Sequence, residues 1–281
     1  MIKCKGDTIM KTNEIFKLSH QSINTNSLIP ISLFQENKFR LKIIKKTKYE
    51  IPPYQTILEG IKYIDKPIDR FYFNDNFLSP YFYFNGEVAA LLEIFAWDIE
   101  HLKSFQVKEH IEIMEKRLAS LIKAKNYHTL FILIDKRIAF DFYIQSFDDI
   151  PDEQKYKYFE DLYVRSEYGF SDLDKDFLLN IFKYAPKEDL SKKIEIDDNG
   201  LIRIYRGQNT KSTPYKEAFS WTTNKDTAIF FATRFDKYSG KLYEAIVKSE
   251  DILAYIDRRG ESEVIVNPDC LIGVKKIKEG R

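Results

Sequence analysis

Two glutamates near the C-terminal end of the chain, Glu261 and Glu263, have the type and spacing to do chemistry. They flank Ser262 at the head of an apolar run, Val264–Val266. An i,i+2 spacing at the start of a strand points both side chains to the same side, so both can face one cleft. A carboxylate fixed beside a sugar can stabilise an oxocarbenium-like transition state, as in glycoside hydrolysis. On its own, the same tripeptide also occurs on solvated strand edges.

An arginine and two hydroxyl residues precede this pair. Arg206 and Gly207 follow the strand-like run Ile202–Tyr205. An arginine there can bind a pyrophosphate through two parallel hydrogen bonds, and a glycine lets the backbone approach a flat ring. Ser220 and Thr222 repeat the i,i+2 spacing, and their hydroxyls could hold the carboxylate and a ribose. Thr222 could also serve only to cap the helix that follows.

In this order, the three pieces resemble the motifs of the NAD-dependent ADP-ribosyltransferase superfamily of the arginine–serine–glutamate type. The matched pieces are Arg206, Ser220-Trp221-Thr222 and Glu261-Ser262-Glu263, within residues 201–274. The resemblance implies an enzyme that cleaves the nicotinamide–ribose bond of NAD and passes ADP-ribose to an acceptor. It also implies a split pair of bent β-sheets with NAD in the cleft between them.

The resemblance also assigns roles to single residues. Arg206 would bind the NAD phosphates, and Gly207 would contact nicotinamide through its backbone. Ser220 would support Glu263, the catalytic glutamate that grips the nicotinamide ribose. Glu261 would position the acceptor, and in the family a glutamate at this place usually accompanies arginine acceptors.

Three further residues are candidates for NAD binding. Thr222 stands where the family usually has serine, so the motif reads Ser-Trp-Thr instead of Ser-Thr-Ser. Arg234 is a candidate for a second phosphate contact, and Phe231 for a ring against nicotinamide. The alternative for Phe231 is a core position on the apolar stripe that Ala228 and Ala232 form on a helix.

Several other kinds of site are excluded or disfavoured by the sequence. All four histidines lie in the first half of the chain, and no Gly-rich phosphate loop occurs. Cys4 and Cys270 cannot build a disulfide framework or a zinc site, so we expect no metal. No apolar run is long enough to span a membrane, and no signal peptide is visible, so we expect a cytoplasmic protein without a membrane partner.

The pattern along the chain predicts an α+β protein with helices first and short strands last. We expect an N-terminal, mainly helical region over residues 1–125. The sequence does not assign its role, and the alternatives are that it binds the acceptor, binds an inhibitor, or only buttresses the catalytic domain. The N-terminal region includes a buried strand at Tyr81–Phe84 and a helix beginning near Glu87. A catalytic domain would follow over 126–281, with helices over 126–185 and a β core over 201–274 with an NAD cleft.

Three functional hypotheses follow. The first is a mono-ADP-ribosyltransferase, of toxin or phage-defence type, that modifies a protein arginine or a nucleic-acid base, for example in RNA, and that has a possible antitoxin or inhibitor as partner. The net charge is +1, but residues 1–50 carry ten basic against four acidic residues. This excess of basic residues weakly favours an anionic acceptor; the alternative is a solvated surface without a partner. The second is an NAD glycohydrolase with water as acceptor, and the third a catalytically degenerate binding module.

Overall fold

The computed structural model describes residues 28–33, 54–73, 81–86, 91–93, 105–166, 173–187, 189–210, 212–234 and 240–277. The chain forms two compact units, one of residues 1–150 with 165–170 and the other of 151–164 with 171–281. Both units combine helices with an antiparallel sheet, so the α+β class is confirmed at this level. The division at residue 125 stays a prediction.

The first unit contains a four-stranded antiparallel sheet as well as helices. Its strands lie side by side in chain order: β1 (Ile29–Pro30), β2 (Phe71–Phe73), β3 (Tyr81–Phe84) and β4 (Leu91–Glu93). Its helices are α1 (Tyr54–Ile64), α2 (Phe105–Lys123), α3 (Tyr127–Leu133) and α4 (Ala139–Ser146). Aromatic side chains pair across β2 and β3, as in the edge-on contact of Phe71 with Tyr83, which is a favourable cross-strand pair.

The sheet makes the described part of this unit less helical than its sequence predicts. The buried strand at Tyr81–Phe84 is confirmed. The helix expected to begin near Glu87 is wrong where it can be compared, because Leu91–Glu93 pairs with β3 as a strand. The rest of that prediction, and most of the basic segment 1–50, lies outside the described residues. Helical spacing of apolar residues was overridden here by pairing with an aromatic strand.

The second unit is built around a six-stranded sheet. Its helices are α5 (Asp152–Arg165), α6 (Lys175–Phe182) and α7 (Lys225–Thr233). Its strands are β5 (Leu201–Gln208), β6 (Ser220–Thr222), β7 (Lys241–Lys248), β8 (Ile252–Ile256), β9 (Glu263–Val266) and β10 (Ile272–Ile277). The spatial order is β10-β7-β5-β6-β9-β8, and all pairs are antiparallel.

This sheet consists of two three-stranded halves that are joined by a single residue pair. β5 and β7 pair along their full lengths, whereas β5 meets β6 only where Tyr205 lies opposite Thr222. Thr222 lies in turn opposite Glu263 on β9. The row Tyr205–Thr222–Glu263 therefore crosses the junction between the halves, and it places the first residue of β9 at that junction.

Helix α7 packs directly on β5 at a glycine. A Cβ on Gly207 would lie 1.9 Å from the carbonyl oxygen of Ala228 and 2.5 Å from the amide nitrogen of Ala232. Only glycine allows so close an approach of helix and strand. Asn224 begins the helix, and its side-chain oxygen accepts from the amides of Asp226 and Thr227, which is an N-cap.

Other differences from the sequence predictions concern element boundaries and short elements. Residues 126–185, where helices were predicted, contain the helices α3 to α6, and strand β8 was not predicted. Helix α1 was not predicted, although Ile57, Ile61 and Ile64 repeat at helical spacing and are buried. Within the described residues, no helix combines the length and the apolar character that crossing a membrane requires.

Candidate active site

The carboxylate of Glu263 is buried at the junction of the two half-sheets. Glu263 is only 5% exposed to solvent. Its Oε1 accepts two hydrogen bonds, one from the Ser220 hydroxyl on β6 and one from the Tyr163 hydroxyl on α5. Two donors on one oxygen fix the orientation of the carboxylate. The expected contact between Ser220 and Glu263 is therefore present.

The second oxygen of this carboxylate differs from the first in its hydrogen bonding. Oε2 of Glu263 is enclosed and has no hydrogen-bond partner among the described residues. The Arg259 guanidinium lies close to it, with Nη2 3.8 Å away. Burial raises the pKa of Glu263, and this outweighs the opposing effects of Ser220, Tyr163 and Arg259. The site thus holds a buried carboxylate with one oxygen fixed by two donors and the other without a hydrogen-bond donor.

Glu261 shares the Arg259 guanidinium with Glu263. Nη2 of Arg259 lies 2.9 Å from Oε2 of Glu261, and the guanidinium also lies over the Tyr163 ring at 5.8 Å. Both carboxylates therefore face one cation, as their spacing suggested. The reason differs, because β9 begins at Glu263 and Glu261 lies in the preceding loop. Ser262 between them has a left-handed backbone, with φ of 47°, so strand alternation does not apply there.

The loop that carries these groups is anchored at both ends. At one end, the Arg258 guanidinium donates to the Asp161 carboxylate on α5. At the other end, the amide of Ser262 donates to Asp257 Oδ1 at 2.8 Å, and the carbonyl of Ser262 accepts from the amide of Thr223. These bonds hold the backbone of the loop, while the Arg259 side chain remains 31% exposed.

Arg206 lies at the same junction, but its terminal nitrogens are already engaged. Nη1 donates to the Ser220 carbonyl at 2.6 Å and Nη2 to the Thr213 carbonyl at 2.8 Å. Nε is buried without a hydrogen-bond partner among the described residues. Burial lowers the pKa of Arg206 to about 10, against the opposing effect of Tyr163 and Glu263 nearby. Arg206 thus stays charged at neutral pH, and it joins β5 to β6 where the ladder between them ends.

Gly207 and Thr222 both have structural contacts. Gly207 is buried against α7, as described above. The Thr222 hydroxyl donates to the Glu261 carbonyl at 2.7 Å and accepts from the amide of Asn224 at 2.9 Å. This hydroxyl links the loop before β9 to the start of α7, so Thr222 positions Glu261 and also assists the helix N-terminus. Their expected roles in contacting NAD stay predictions.

Phe231 and Arg234 lie together on α7. The Arg234 guanidinium is 5.3 Å from the centre of the Phe231 ring, and Phe230 meets that ring edge-on. The carbonyl of Phe231 accepts from the Asn209 side chain at 3.0 Å. Phe231 is half-buried, whereas Arg234 is exposed at the end of the helix. They form a cation–aromatic pair, and their contact with NAD stays a prediction.

Two residues at this site were not found from the sequence. Arg259 stands two and four positions before the glutamates, and this alternation of one basic and two acidic residues was a usable signal. Tyr163 belongs to the buried face of α5, where the sequence does not distinguish it from a packing residue. Its ring does stack on Phe159, and burial raises its pKa well above the ordinary value. Only the folded chain brings its hydroxyl to Glu263, a hundred positions later.

Over the described part of the chain, no three histidine, cysteine, aspartate or glutamate residues are grouped so that they could hold a metal ion. The groups at the junction are the carboxylates of Glu261 and Glu263, two arginines, and the hydroxyls of Tyr163, Ser220 and Thr222. Comparison of the chain with models of protein families, with curated proteins and with solved structures finds no match in any of the three.

Proposed function

We propose that this protein is an NAD-dependent mono-ADP-ribosyltransferase. One observation carries the proposal: the buried carboxylate of Glu263 has one oxygen fixed by Ser220 and Tyr163 and the other without a hydrogen-bond partner. The order of Arg206, Ser220 and Glu263 along the chain supports it, since these three residues also lie at one junction of the sheet.

The role of Glu263 follows from where charge develops. When nicotinamide leaves NAD, positive charge appears on the ribose, and a fixed carboxylate stabilises that charge more than it stabilises the ground state. A buried oxygen without a hydrogen-bond partner is costly, and a ribose hydroxyl is a donor that would satisfy it. Ser220 and Tyr163 hold the carboxylate in place, so little reorganisation is needed at the moment of reaction.

The two arginines proposed to bind the NAD phosphates differ in how accessible their donors are. Both terminal nitrogens of Arg206 donate to backbone carbonyls, so in this conformation only its Nε could donate to a phosphate. Its clearest contribution is a buried positive charge near Glu263 that holds β6 in position. Arg234 is exposed and basic, and we assign the more accessible phosphate contact to it.

We propose that the acceptor is a macromolecule with a guanidino group. Glu261 binds the Arg259 guanidinium at 2.9 Å, so a guanidino group fits beside this carboxylate. A protein arginine is therefore the first choice, and a nucleic-acid base, as in RNA, is the second. A toxin or phage-defence role with an antitoxin or inhibitor partner is an analogy with the family alone.

One observation favours an NAD glycohydrolase as the second candidate. In this conformation Glu261 is paired with Arg259, so a macromolecular acceptor must displace that guanidinium, whereas water need not. The glycohydrolase would release nicotinamide without labelling any macromolecule. A binding module without catalysis would release none.

The test is incubation with NAD labelled on the adenylate, in lysate, followed by separate protease and nuclease treatment. We expect label that depends on Glu263 and that protease removes. Glu263→Gln keeps the shape of the side chain and removes its charge, and Glu250→Gln is the control because Glu250 is exposed outside the site. Label that nuclease removes would identify a nucleic-acid acceptor. Equal labelling by Glu263→Gln and wild type would refute the proposal.

A further inference from the structure

The Arg259 side chain is held where the acceptor of the proposed reaction would have to lie. Its Nη2 is 2.9 Å from the Glu261 carboxylate, which is the acceptor-positioning group, and 3.8 Å from the Glu263 carboxylate. The pair with Glu261 is at hydrogen-bond distance and the contact with Glu263 is not. A guanidinium is therefore already present beside the catalytic carboxylate.

We propose that Arg259 is itself an acceptor, so that the protein ADP-ribosylates its own Arg259. This inference rests on the proposed function. Binding of a ribose hydroxyl to Oε2 of Glu263 would require the guanidinium to move away from that oxygen, which is the longer of its two contacts. Glu261 would keep hold of Arg259 meanwhile, and proximity of this kind favours reaction within one molecule.

Neighbouring arginines lack this combination of features. Arg206 donates from both terminal nitrogens to backbone carbonyls and is enclosed. Arg258, the immediate neighbour, donates to Asp161 and lies 3.8 Å from Glu160, so it is held on α5 instead. Arg259 alone among these three contacts Glu261, and its side chain is 31% exposed.

The step balances without any further reactant. The bond between the ribose anomeric carbon and nicotinamide breaks, and its electron pair leaves with neutral nicotinamide. A new bond forms from Nη2 of Arg259 to that carbon. The Glu261 carboxylate, 2.9 Å from Nη2, accepts the proton that the nitrogen loses, and the modified guanidinium retains its positive charge.

Self-modification would also lower the activity of the enzyme. An ADP-ribosyl group on Arg259 would occupy the position beside both carboxylates and prevent an external acceptor from reaching Glu261. We therefore expect nicotinamide release to slow as modification proceeds, with a limit of about one ADP-ribose per chain.

The experiment uses the purified full chain with adenylate-labelled NAD and no other protein. Label on the chain is measured by intact mass, the modified residue by peptide mapping, and nicotinamide in parallel. The variants are Arg259→Lys, which keeps the charge and removes the guanidine, and Arg258→Lys as the matched neighbour. We expect label at Arg259 in wild type and in Arg258→Lys, its loss in Arg259→Lys, and a labelling rate constant that does not change on dilution.

The alternatives are distinguishable. Nicotinamide release without label on the chain overturns self-modification and leaves the proposed function standing. Label that survives Arg259→Lys, or labelling whose rate constant falls on dilution, overturns the assignment to Arg259 within the same molecule. Absence of both label and nicotinamide overturns the inference together with the proposed function.

Discussion

Removing the Tyr163 hydroxyl tests whether this residue positions the Glu263 carboxylate for the proposed reaction. In Tyr163→Phe, Oε1 of Glu263 loses one of its two donors and keeps the Ser220 hydroxyl. The ring still stacks on Phe159, with 6.0 Å between ring centres. A hydrogen bond to a charged group contributes about 1.5–3 kcal/mol. Since about 1.4 kcal/mol changes a rate tenfold, kcat should fall by roughly 10- to 100-fold.

The assay is nicotinamide release from NAD as a function of NAD concentration and pH. The loss should appear in kcat more than in KM, because the carboxylate acts mainly in the transition state. The Tyr163 hydrogen bond lowers the pKa of Glu263. Its removal should therefore move the acid limb of the rate profile to higher pH. A merely structural role for Tyr163 would not move this limb.

The control is Tyr158→Phe, on the same helix, whose hydroxyl donates to Gln154 at 2.6 Å. Combining Tyr163→Phe with Ser220→Ala should give a loss that differs from the sum of the single losses, since both donors serve one oxygen. An unchanged kcat and an unchanged acid limb in Tyr163→Phe would refute the reasoning. Equal losses in Tyr158→Phe and Tyr163→Phe would refute its assignment to the site.

Two further predictions concern stability. Gly207→Ala would place a Cβ 1.9 Å from the Ala228 carbonyl oxygen. We therefore expect the free energy of unfolding, measured by urea denaturation, to fall by about 1–3 kcal/mol. An unchanged denaturation midpoint would contradict the packing of α7 on β5. Burial raises the pKa of Glu263 above its ordinary value of 4.5, so the folded state keeps this proton to higher pH than the unfolded state does. Wild-type stability should therefore fall relative to Glu263→Gln as pH rises through the raised pKa, with the smallest difference below pH 4.5; a pH-independent difference in denaturation midpoints would contradict this.

The sequence predicted the strands of the site better than it predicted the contacts. The runs Ile202–Tyr205 and Val264–Val266 located β5 and β9, because such patterns are local. Ser220 and Glu263 are brought together as expected, by the antiparallel pairing of β6 with β9. The donors of Arg206 were assigned to a ligand, but they bind the backbone carbonyls of Ser220 and Thr213.

The rest could not be found from local patterns. The contact of Tyr163 with Glu263 joins residues a hundred positions apart, and nothing in an apolar helical face distinguishes a tyrosine that donates to a carboxylate from one that only packs. The common direction of Glu261 and Glu263 was expected from a strand, yet it arises from a left-handed turn at Ser262 and a shared arginine. Turn geometry of this kind depends on the fold around it.

The most direct test of the central claim is the rate of nicotinamide release from NAD by the purified protein and by Glu263→Gln. The account predicts measurable release by the wild type and by Glu250→Gln, and a rate for Glu263→Gln that is lower by about 100-fold or more. Release by Glu263→Gln at the wild-type rate, or none by the wild type, would contradict the claim that this buried carboxylate cleaves the nicotinamide–ribose bond.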